Sequence, residues 1–178
     1  MIKAVILRGS EYLKTLIEFA MYNFTLTFFM MGGLVSAFQI WRTQAQIRTL
    51  DFIYNTIFKW FLFFSVGVTY FYNFIVHVFF GELSAHFIGW ADSPFQLEVG
   101  FASLGFAAVG FFSYKEAWKI RLVAILGPGL FMLGAAGGHI YQMITANNFA
   151  PGNAGLMFYS DLFLPLFGAV MLKLTRPT

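Results

Sequence analysis

Residues 99–112, VGFASLGFAAVGFF, hold no charged or amide side chain, and a glutamate, Glu98, stands at their head. With the flanking apolar positions the run covers 95–113, about the 20 residues that a helix needs to cross a bilayer. It lacks the alternation of apolar and polar residues that marks a strand of a membrane barrel. Four further apolar stretches, at about 15–41, 53–81, 120–144 and 155–174, read in the same way. The expected fold is therefore all-α: a single polytopic membrane helix bundle over 1–178 with about five transmembrane helices.

Composition agrees. The 178 residues are 59% hydrophobic and 11% charged, with a mean hydropathy of +0.72. A soluble domain would carry roughly a quarter charged residues. No soluble domain is left over. Cysteine is absent, which removes disulfides, thiolate metal sites and thioether haem attachment. The opening residues, MIKAVILRGSEYLK (1–14), lack a signal-peptide cleavage pattern and are expected to form a short amphipathic helix lying at the interface.

The distribution of Lys and Arg sets an orientation. Arg42 and Arg48 mark the first connection, Lys115, Lys119 and Arg121 the third, and Lys173 and Arg176 the tail, while 82–94 and 145–154 contain neither residue. The positive-inside rule places the first and third connections and the C-terminus in the cytoplasm. Trp41, Trp60, Trp90 and Trp118 all fall at predicted helix ends, where indoles favour the interface. One conflict remains, since five spans put Lys3, Arg8 and Lys14 outside.

On this map the ionisable residues gather near the outer ends of the helices. Glu98, His139 and Asp161 each lie roughly 5–10 Å below those ends at 1.5 Å of rise per residue, and a carboxylate or cation at such depth faces protein or water. Small residues on the same helical faces, Ala102 and Gly105 beside Glu98, Gly168 beside Asp161 together with Pro165, and GAAGGH at 134–139, suit close helix approach. His86, Glu98, His139 and Asp161 are accordingly expected to form one inward-facing cluster, with His77, Glu82, Gln96 and Gln142 as accessory members.

Three functions fit such a cluster. Two imidazoles and two carboxylates suit a divalent transition metal, zinc, iron, manganese or copper(II), better than a soft ion. A buried ion-pair network that locks helices needs the same groups. A proton or ion relay uses them too. The metal site leads, as a membrane metalloprotein whose reaction the sequence leaves open. The alternatives are an oligomeric channel or proton-coupled transporter, a homo-oligomer because five helices leave little room for a pathway in one chain, and an accessory subunit of a membrane complex. GPG at 127–129 kinks the fourth span, as a gating hinge or an ordinary bend, and TANNFAPGNAG at 145–155 is a lid or a plain turn. No phosphate loop, Ser–His–Asp spacing or nucleic-acid stripe is present; the partner is the lipid bilayer.

The stretches HFIGWADSPFQLEVG (86–100) and GHIYQMITANNFAPGNAG (138–155), followed by Asp161 and Pro165, resemble a family of small bacterial integral membrane proteins known as a domain of unknown function. The resemblance runs from about His77 to Leu172. It implies a bacterial cytoplasmic (inner) membrane location and no particular activity.

Overall fold

A computed structural model describes residues 2–177. The chain is helical, with no strand among the described residues, and five of its helices are long and apolar enough to cross a membrane. This is the all-α multi-pass bundle expected from the apolar runs.

Helix α1 (Ile2–Tyr22) and helix α2 (Phe24–Arg42) divide at Asn23. The Asn23 side chain donates to the Phe19 carbonyl, and Thr27 Oγ1 donates to Ala20 and Asn23. Side chains thus compete with the helical ladder at this point. The first span consequently begins at Phe24, and 15–22 continue α1, along which Tyr12, Leu13, Leu16 and Ile17 are exposed.

A 3₁₀ turn (Ala45–Ile47) leads to the second span, Leu50–Phe79, made of α3 (Leu50–Phe61), a π-helical segment (Leu62–Val68) and α4 (Thr69–Phe79). The short helix α5 (Gly81–Ile88) follows, then α6 (Phe95–Ser113), α7 (Trp118–Ala146), the single turn α8 (Pro151–Ala154) and α9 (Leu156–Leu174). The π segment and α4 pack on α6, and α7 packs on α9. Phe58, Leu62, Tyr70, Ala124, Met132 and Leu164 form the centre of the core.

Glycine decides how closely the second and third spans meet. A Cβ on Gly110 would fall on the backbone nitrogen of Gly67, and one on Gly67 would lie 2.6 Å from Phe111 Cδ1. The widened π turn and α6 touch backbone to backbone, the contact that small residues permit in membranes. Gly110→Ala is expected to lower stability by about 1–3 kcal/mol, read as a lower thermal midpoint in detergent; an unchanged midpoint would show that the helices separate freely.

Candidate functional site

The bases of α7 and α9 meet at the end of the bundle whose connections carry no Lys or Arg. His139 is buried near the end of α7, and Asp161 is buried one and a half turns into α9. Their Nε2 and Oδ2 atoms lie 3.5 Å apart, with side chains only 9% and 12% exposed.

Asn153, fully buried in α8, organises this pair. Its Nδ2 donates to the carbonyls of His139 (3.2 Å) and Asn148 (2.9 Å), which turns Oδ1 toward Trp90 Nε1 (3.2 Å) and His139 Nδ1 (2.7 Å). An amide oxygen only accepts, so His139 Nδ1 carries a hydrogen. The other ring nitrogen, Nε2, is left facing the Asp161 carboxyl. Two lone pairs opposed in a buried site repel, and one proton between them removes the repulsion. The hydrogen-bond network therefore fixes the ring orientation and leaves Nε2, 3.5 Å from Asp161 Oδ2, as the nitrogen placed to share a proton with the carboxyl.

The loops close over this pair. Gly89 ends α5 with φ +77, a conformation that L side chains rarely adopt. It sits where a Cβ would lie 2.7 Å from Asn148 Oδ1. Asn148 Nδ2 donates to the carbonyls of Ile88 and Gly89, and its Oδ1 accepts from Ala150 N. The indole of Trp90 lies 5.7 Å from the His139 ring, centroid to centroid. The TANNFAPGNAG segment is thus tied to the α5 turn and forms part of the site.

The other expected members lie elsewhere. Glu98 is exposed, as are Ala102 and Gly105 on its face; α6 instead buries Gln96, Gly100, Ser103, Ala107 and Gly110. Both stripes contain small residues at helical spacing, and the one packed against α4 and the π segment excludes the glutamate. His86 and Glu82 are exposed on α5, and Gln142 is half-buried. His77 forms a separate polar contact, its Nδ1 against Gln96 Oε1 and its Nε2 3.4 Å from Ser84 Oγ. The set His86, Glu98, His139 and Asp161 is therefore not brought together. Among the described residues no three His, Cys, Asp or Glu side chains group as metal ligands. Asn153 and Trp90 are the members that residue-type reasoning passed over, because neither is ionisable; the small residues around Asn153 in PGNAG were the available sign of close packing.

Further into the bundle, a void of about 20 Å³ is bounded by Ser65, Tyr70, Pro128, Gly129, Leu164 and Pro165 among others. That is room for one water molecule. Three helices meet there: the π segment supplies Ser65, whose buried Oγ has no hydrogen-bond partner, and Pro128 and Pro165 each remove a backbone donor from the continuous helices α7 and α9. Tyr70 Oη donates to the Pro128 carbonyl at 2.9 Å. Pro165 lies one turn beyond Asp161.

The model of a family of unknown function (DUF6790) matches residues 22–178. No curated protein and no solved structure matches the chain.

Proposed function

This chain belongs to the DUF6790 family of unknown function, and we propose that it is a multi-pass membrane protein built around one exchangeable proton, held between His139 and Asp161 and used for proton-coupled transport. The carrying observation is the fixed Nδ1–H of His139, which turns the other nitrogen onto a buried carboxyl. Asp161 also stands one turn from a water-sized void lined by the π segment and by the proline-containing stretches of α7 and α9. Prolines inside membrane helices free backbone carbonyls that a bound water can satisfy, and π segments recur at functional sites. The positive-inside rule supports a cytoplasmic position for Arg121 and Lys173 and an external one for the His–Asp pair, in a bacterial cytoplasmic membrane. A second copy would supply the pathway that one chain has little room for.

Proteoliposomes carrying a pH gradient and an enclosed pH-sensitive dye test this. The wild type is expected to dissipate the gradient faster than protein-free vesicles, and Asp161→Asn, which keeps the shape and removes the acid, is expected to return the rate to the protein-free value. Equal rates for wild type and variant would contradict the proposal. Elemental analysis of the same preparation identifies the other occupant that the pair admits, a divalent metal in place of the proton.

A structural clamp is the second reading, favoured by the four hydrogen bonds that Asn153 makes. It predicts loss of stability in the same variants with no proton movement in the wild type.

A further inference from the structure

At the opposite end of the bundle Arg121 is only 9% exposed, yet no carboxylate lies within ion-pair distance of it among the described residues. Its Nη1 donates to Asn55 Oδ1 at 2.9 Å and its Nη2 to the Tyr114 carbonyl at 3.5 Å, while Nε is buried with no partner. Its guanidinium carbon stands 5.5 Å from the Phe58 ring centroid. Only neutral groups hydrogen-bond the guanidinium, with Glu116 acting on it from beyond ion-pair distance, so an anion bound beside it offsets the cost of its burial. Arg121 lines a cavity of about 380 Å³ that also presents Asp51, Asn55, Glu116, Trp118 and Arg176. Helix α7 begins at this cavity, and Ala117, at its N-cap, has no side chain able to satisfy the free backbone N–H groups. An uncapped N-terminus of a long helix attracts anions, phosphate above all.

The carboxylates narrow the ligand. Two arginines and two acids line the cavity, so a simple anion would leave it negative, whereas a ligand carrying both signs keeps it balanced. We propose that this cavity binds a phosphate ester with a neighbouring primary ammonium, the chemistry of a phosphoethanolamine group. The phosphate takes the guanidinium groups of Arg121 and Arg176 and the start of α7, and the ammonium takes Asp51 and Glu116. Asn55 Nδ2 donates to Asp51 Oδ1 at 3.0 Å while its own Oδ1 accepts from Arg121. One amide thereby holds the cationic and anionic halves of the site side by side.

Lipid titration of the detergent-purified full chain, followed by native mass spectrometry, tests the proposal with phosphatidylethanolamine, phosphatidylglycerol and soluble O-phosphoethanolamine as probes. Phosphatidylethanolamine is expected to bind about tenfold more tightly than phosphatidylglycerol, and Arg121→Gln to remove that difference. Because Arg121 is buried and its variant can fail to fold, the double variant Asp51→Asn, Glu116→Gln at two exposed positions carries the test independently: it is expected to reverse the preference toward phosphatidylglycerol. Binding of soluble O-phosphoethanolamine with the same dependence on these residues would identify a free ester, and its failure beside binding of the lipid would identify a membrane headgroup; both support the site. Equal binding of the two lipids to wild type, an unchanged preference in the double variant, or no binding of any probe would overturn it.

Discussion

Replacing His139 with alanine is expected to cost about 3–5 kcal/mol of stability and to lower the thermal midpoint in detergent by more than any single change on the exposed face of α6. Asp161 is only 12% exposed in its side chain, and the variant leaves that carboxyl without its partner. Asn153 Oδ1 loses the N–H of His139 and keeps only that of Trp90. Removing both polar groups together should cost less, because a buried pair exchanged for apolar side chains is often neutral. His139→Leu with Asp161→Leu is therefore expected to be more stable than His139→Ala and still to be inactive in proton movement. Thermal melting in detergent beside the liposome assay separates the two outcomes. A double variant that melts with the single one would show that the pair contributes no unmatched charge.

The second large effect is expected at Asn153, which carries no charge. Asn153→Ala leaves the Trp90 and His139 donors and the His139 and Asn148 carbonyls without their amide. Unsatisfied buried groups of this kind put the loss at about 2–4 kcal/mol. The variant also frees the imidazole to carry its hydrogen on either nitrogen, so the tautomer should change even in the folded fraction. By contrast, Glu98→Gln lies on an exposed face and is expected to change stability by no more than about 0.5 kcal/mol. Melting curves of the two variants side by side decide whether the site is centred on Asn153 or on Glu98.

Much of the bundle is legible in the sequence because the bilayer enforces a simple rule: long apolar runs must be helices that satisfy their own backbone. The site is legible only in part. His139 and Asp161 announce themselves as ionisable groups inside spans, and they meet. Glu98 carries the same signal and points away, because α6 offers two stripes of small residues and helical spacing alone does not say which one meets a neighbour. The deciding feature is Gly110 against Gly67, a contact that depends on the π segment, and hydropathy is blind to that change of helical pitch. Asn153 and Trp90 were hidden for a different reason. An Asn in a Gly- and Pro-containing loop reads as turn chemistry, and an indole near a helix end reads as an interface anchor. Arg121 likewise reads as a topological charge, since its burial arises where α7 begins against α3 and the C-terminal segment.

The most direct test of a shared proton is the ¹⁵N nuclear magnetic resonance spectrum of the His139 ring in lipid bilayers, recorded for the wild type and for Asp161→Asn. Nδ1 is expected to be protonated in both proteins, held by Asn153, while the Nε2 resonance moves when Asp161 is replaced. An unprotonated Nδ1, or an Nε2 signal that Asp161→Asn leaves unmoved in a folded protein, would contradict the shared proton, and the pair would then be a clamp that holds the loops in place.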